Sequence, residues 1–187
     1  MTYALIAPPA AEPLTLAEVK AHLRLDGDDE DGLLTGLIRT AREHLERMSG
    51  LALISQGWRL YLDRWPDGPA RIGKAPVRAI DAVTVYDAAG DAVSVALDGH
   101  VLDGEAVPAR LMMAQNPATA RAVNGIEIDF TAGFGTAVDV PDGLKRAMLT
   151  HIAQMFACRG AVAPENQPAV IPDGYERLVA PWLPRRL

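Results

Sequence analysis

Apolar residues recur with two different periods along the 187-residue chain, and the switch between them divides it. In LTLAEVKAHLRL, Leu16, Val19 and Leu23 share one stripe at helical spacing. Thr15 stands where an N-cap belongs, and Glu18, three residues on, can close a capping box. Leu14 and Val19 occupy the staple positions around it, and Asp26-Gly27 ends the element, so a first helix is expected over 14–25. A second is expected over 29–49. It opens with acids that suit the positive end of a helix dipole and closes with Arg47 before a terminating Gly50. Leu34, Leu37, Ile38, Ala41, Leu45 and Met48 keep its apolar stripe.

Between residues 52 and 135 the period becomes two. Trp58, Leu60 and Leu62 alternate with Arg59, Tyr61 and Asp63. Ile80, Val83 and Val85 precede the turn signal DAAGDA, with Val93 and Val95 after it, which predicts a hairpin. RLMMA and GIEIDF read as further strands. A third helix is expected over 141–159, with Pro141 at its start. Its apolar positions Leu144, Met148, Ile152, Met155 and Phe156 wrap more than a narrow stripe, as on a helix covered from several sides by the sheet, other helices or a neighbouring subunit. The pattern predicts an α+β fold: a small bundle of three main helices with an inserted antiparallel β region. It forms one body over 1–160, followed by an extended C-terminal tail, 161–187. Five prolines in the tail's 27 residues argue against a packed element. Its end is nevertheless rich in Tyr175, Leu178, Val179, Trp182, Leu183 and Leu187, beside Arg185 and Arg186.

Composition narrows the function classes. Apolar residues are 49% and charged residues 22%, as in ordinary globular domains, and the formal charge of −6 disfavours a tight nucleic-acid binder, which needs a concentrated basic face. The single cysteine, Cys158, cannot form an internal disulfide and fits a reducing compartment. No apolar run reaches the roughly 20 residues that cross a bilayer, and the N-terminus lacks the basic start of a signal peptide.

Motif chemistry is sparse. Gly133 and Gly135, between a strand and a helix, suggest a phosphate loop, yet position 138 is valine where a dinucleotide fingerprint needs glycine, and no Gly-Lys-Ser/Thr follows. Relief of backbone strain in a turn explains the pair. DGDDEDG lacks the glycine and the bidentate acid that a calcium loop places at its sixth and twelfth positions; those hold Asp31 and Leu37. His22, His44, His100 and His151 have no ligand spacing, and read as surface or core-edge side chains. His151 and Cys158 are seven residues apart but lack a nucleophile loop. No catalytic, cofactor or metal site is assigned. The tail keeps two readings: a segment folded back on its own domain, or a docking peptide whose apolar anchors and arginines fill a partner's groove.

The order of these pieces resembles a known family. KAHLRLD, DGLLTGLIRTAREHLERMSGLALISQGWRLYLDRWP, APVRAIDAVTVYDAAG, the Asp98–Gly104 spacing, IDFTAGFG and VPDGLKRAMLTHIAQMF together resemble the head–tail connector (adaptor) proteins of long-tailed phages and gene transfer agents. The resemblance implies a non-enzymatic virion protein, assembled in the bacterial cytoplasm as a ring of about twelve beneath the portal protein of the capsid. The ring would extend the DNA channel, let double-stranded DNA pass without specific binding, and offer a platform to a stopper or tail-terminator protein. Carried onto this chain, it implies portal docking by Tyr175, Leu178, Val179, Trp182, Leu183, Arg185, Arg186 and Leu187. Subunit contacts would then fall to Leu144, Met148, Ile152, Met155 and Phe156. The rivals are a head-completion or stopper ring of the same neck and, from another class, a small cytoplasmic enzyme with a site near Gly133, Gly135 and His151.

Overall fold

The structure, a computed structural model, describes residues 2–158 and 171–183. The chain folds into two compact units, each assembled from separated stretches: unit 1 from residues 1–10 and 54–134, unit 2 from 11–53 and 135–187. This division differs from the expected single body with a tail. A strand from Thr2 to Ala7 joins the β region, and the described C-terminal residues 171–183 belong with the helices.

Unit 1 holds two antiparallel sheets. The larger has the order β1-β2-β8-β4-β5, from β1 (Thr2–Ala7), β2 (Gln56–Leu62), β8 (Ile126–Ala132), β4 (Val77–Tyr86) and β5 (Ala92–Val95). The smaller has the order β3-β7-β6, from β3 (Ala70–Ile72), β7 (Ala109–Met112) and β6 (Val101–Asp103). Residues paired across strands share a face, so the registers sort the large sheet into two surfaces. One carries Tyr3, Leu60, Ile128, Val83 and Val95 in a single row, with Leu5, Trp58, Phe130 and Ile80 in the next. Leu60, Ile128, Phe130 and Val83 are fully buried there and form the core of unit 1 together with Ala70, Ile72, Ala109 and Leu111 of the small sheet. The opposite surface is polar. Arg59 bridges Asp129 (2.6 Å) and Glu127 (2.7 Å), and Tyr86 donates its hydroxyl to Glu127 (2.9 Å). Hydrogen bonds to Asp129 hold the Arg59 pKa above its usual range.

The hairpin expected at DAAGDA is β4–β5. Its turn is tied by Asp87, whose carboxylate accepts from the N–H groups of Ala89 and Asp91. β1, β3 and β6 have no counterpart in the sequence reading, because runs of three residues, and an unpunctuated TYALIA, carry little periodicity.

Unit 2 is helical: α1 (Leu16–Leu23), α2 (Asp31–Ser49), α3 (Asp142–Ala157) and α4 (Tyr175–Val179). The Thr15–Glu18 capping box forms, with Thr15 N–H donating to Glu18 at 2.7 Å and Glu18 N–H to Thr15 Oγ1 at 3.2 Å. These bonds to Thr15 pull the Glu18 pKa down. Arg24, in the left-handed region at φ 55, stops α1 two residues earlier than expected, with the Leu25 N–H bonded back to Lys20 O. On α2 the expected stripe is displaced at its end. Met48 is 49% exposed, while Arg42, Glu46 and Ser49 are buried.

Burial of those charges is explained by their pairing. Arg42 donates from Nε to Glu12 (2.7 Å) and from Nη1 to Glu46 (2.9 Å), and the other Glu46 oxygen accepts from Leu53 N–H (2.9 Å). A charge left alone in that position would be strongly destabilising. Arg42→Met is expected to lower the unfolding free energy by about 3 kcal/mol, read as a lower urea midpoint at unchanged slope. Glu43→Gln, whose side chain is 52% exposed and 3.6 Å from Arg42, should change it by less than about 0.5 kcal/mol.

Candidate functional site

α3 is the centre of unit 2, packed by α1, α2 and α4. Leu144, Met148 and Ile152 are fully covered and Met155 is 5% exposed. This corrects the expectation that these residues meet a neighbouring subunit: side chains covered within one chain have no surface left for another. Phe156, half-buried, alone keeps part of its ring exposed. The broad apolar surface of α3 is a core surface, covered by three helices of its own unit.

The tail residues divide in the same way. Tyr175 and Val179 are 2% and 3% exposed, seated against α3, so the C-terminal segment does fold back. α4 runs back along α3, with Tyr175 beside His151 and the Leu178 carbonyl near Gly143 at the start of the helix. Leu178, Trp182 and Leu183 are half-buried. Ala180–Trp182 forms a 3-10 turn after α4. Arg185, Arg186 and Leu187 lie outside the described residues. Docking by Tyr175 and Val179 through direct contact is therefore excluded while α4 is seated; their part is to anchor the segment that bears Leu178, Trp182 and Leu183.

The anchor was not legible in the sequence. Tyr175 closes a ring cluster with His44 of α2 and His151 of α3, at centroid distances of 6.2 and 5.6 Å, and the two histidines stand 4.9 Å apart. His151 is 1% exposed, a core side chain rather than a surface one. The only sequence sign was its place on the buried face of α3, three residues after Met148. Burial lowers the His44 pKa, with Arg47 adding to the effect, and raises that of Tyr175 to about 12.

The glycine loop has structural work at both positions. Gly133 (φ +131) lies against the Ile54 backbone, and a side chain at Gly135 (φ +134) would meet Asp139 Oδ2 at 2.6 Å. Asp139 already accepts from the Thr136 N–H and hydroxyl, both at 2.8 Å, donors that a phosphate would otherwise use. Among the described residues, no group of three or more His, Cys, Asp and Glu converges as a metal site would, and no helix is long and apolar enough to cross a membrane.

The fold is α+β, antiparallel sheets in one unit and helices in the other. The chain belongs to the phage gp6-like head–tail connector protein family, whose profile matches residues 13–182. No curated protein matches it. Solved structures do. A chain from the neck of an empty gene transfer agent (GTA) particle, computed with C6 symmetry, is 31% identical with a TM-score of 0.84. One from the virion of a native GTA particle is 31% identical with a TM-score of 0.80. One from the neck of a native GTA particle, computed with C12 symmetry, is 30% identical with a TM-score of 0.79. Each alignment covers 100% of this chain and 97% of the other.

Ionisation of the anchor sets a stability window for unit 2. Below pH 10 Tyr175 is neutral folded or unfolded. Between 10.0 and about 12 only the unfolded chain ionises, so stability is lost as pH rises through that range. His44, with its folded pKa lowered, loses stability in the other direction, as pH falls through 6.5 and below. Among the described residues the Tyr175 hydroxyl is buried without a hydrogen-bond partner. Tyr175→Phe should therefore keep or raise the melting temperature at pH 8 and reduce the alkaline loss, as followed by circular dichroism, the remainder coming from groups such as Tyr3, whose pKa burial also raises.

Proposed function

We propose that this chain is the head–tail adaptor of a phage-like particle of the gene transfer agent kind. It joins the portal vertex of the capsid to the tail as one copy in a ring. The observation that carries the reading is full-length similarity, at 30–31% identity, to chains from GTA necks. The sixfold and twelvefold symmetries of those necks support a closed ring, with twelve copies satisfying both.

The physical properties of the chain agree with such a place. DNA has to slide through a channel, and a ring of subunits each carrying a formal charge of −6 does not grip phosphates. The tail end supplies the portal contact: Leu178, Trp182 and Leu183 present apolar surface from an anchored helix, and Arg185, Arg186 and Leu187 follow. Trp and Arg are the residue types most enriched at binding hot spots. A stopper or tail-terminator protein would take the opposite side of the ring.

The experiment is co-assembly with the cognate portal protein, read by native mass spectrometry or sedimentation. Removal of residues 184–187 leaves α4 and its anchor in place, and with Trp182→Ala it is expected to weaken portal binding at least 10-fold without lowering the melting temperature. Undiminished binding would remove the tail from the contact. Binding only to a preformed adaptor ring, and not to portal, would assign the chain to the stopper position.

A further inference from the structure

α4 is the most weakly tied helix of unit 2. Its backbone bonds are local, Tyr175 N–H to Pro172 O and Leu178 N–H to Gly174 O. A helix of five residues does not persist without packing, and what seats this one is the burial of Tyr175 and Val179 against α3. The first two helices carry polar ties as well. Lys20 of α1 reaches Asp31 of α2 at 2.8 Å, and Arg42 of α2 holds Glu12 and Glu46.

The seat of α4 contains a titratable group with no provision for charge. His44, half-buried on α2, has its ring centroid 4.9 Å from that of His151 and 6.2 Å from that of Tyr175. Among the described residues its Nε2 is buried without a hydrogen-bond partner, as is the Tyr175 hydroxyl. A neutral imidazole tolerates this with its proton on Nδ1 and an idle lone pair at Nε2. A second proton would turn Nε2 into a buried charged donor without an acceptor, a far greater penalty. The groups around the ring do not offset that charge: Arg47 on its own helix is positive, α3 contributes His151 and α4 contributes Tyr175. The nearby charges of α1 are engaged elsewhere, Glu18 with Thr15 and Lys20 with Asp28 and Asp31.

We propose that α4 is an acid-released latch: protonation of His44 unseats it from α3 while α1, α2 and α3 stay folded. Once α4 has left, His44 faces water and takes its proton freely, so acid favours the released form. The direction follows from burial, which with Arg47 holds the seated His44 below 6.5. Release therefore gains about tenfold for each pH unit below 6.5, down to the seated value. Ordinary carboxylic acids titrate at about 4, so the range from pH 7.5 to 5.0 separates the histidines from them. Release carries Leu178 away with α4 and bares the His151 side of α3. The latch is a property of the free chain and needs no partner.

The test is hydrogen exchange of the full chain at pH 7.5 and 5.0, corrected for the intrinsic rate at each pH and read by mass spectrometry on peptides from α2 and α4. Exchange in 175–182 is expected to rise at least tenfold at pH 5.0 while 31–49 keeps its protection. His44→Phe and His44→Gln stay neutral at both pH values and should cut that rise at least threefold. His22→Gln, on α1, should leave it intact. An unchanged α4 at pH 5.0, loss of protection in α2 and α4 together, or a full response in both His44 variants would each overturn the latch. None of these outcomes bears on the connector reading, which portal binding tests separately.

Discussion

The buried Arg42 guanidinium organises unit 2, because three separate parts of the chain meet on it. Glu12 lies just after the chain enters this unit, Glu46 is one turn along the same helix, and Leu53, held through Glu46, is the last residue before the chain leaves. The network thus fixes both ends of the first helical segment. Unit 2 is interrupted by 81 residues of unit 1, from 54 to 134, before α3 can return to complete its core. A helix pair as short as α1 and α2 is marginal alone, since most helical stability comes from packing. Fixing the α1–α2 segment by a network that is local in sequence gives α3 a formed surface to meet. The same network displaces the apolar stripe at the end of α2, where Arg42, Glu46 and Ser49 take buried places and Met48 turns outward.

Elements with long periodicity or explicit caps were legible in the sequence. The Thr15–Glu18 box, the Gly50 stop, the β4–β5 hairpin and α3 all lie within about two residues of expectation. What escaped had its cause in tertiary structure. β1 is a strand because β2 offers it an edge, and α4 is a helix of five residues that exists only against α3. Periodicity measures how much of a helix is covered, but not by what. The breadth of the α3 stripe was read correctly as burial on several sides, and its assignment to a neighbouring copy failed because α4 supplies the missing side. His44 is at the core edge, as expected, while His151 was misplaced for a related reason: imidazole is polar in a composition table and aromatic in a core.

These corrections change which surfaces remain for assembly. A helical unit that consumes its own apolar faces would, on the proposed docking reading, serve as a stable carrier for Leu178, Trp182 and Leu183. Tyr175 and Val179 tie the segment down. If Leu178, Trp182 and Leu183 dock as proposed, they would have little freedom left to lose on binding, which favours affinity from a small contact. Burial of Tyr175 beside His44 and His151 is what makes this presentation dependent on pH at both extremes.

Small contacts suffice only when they are repeated. The proposed docking segment, Leu178, Trp182 and Leu183 with Arg185, Arg186 and Leu187, is short beside the roughly 20–30 residues and roughly 800 Å² per partner of a specific stable interface. On the proposed docking, a lone copy would hold a portal weakly; in a ring, loss of one docking tail would leave its neighbours bound, and the detached tail would rebind at high effective concentration.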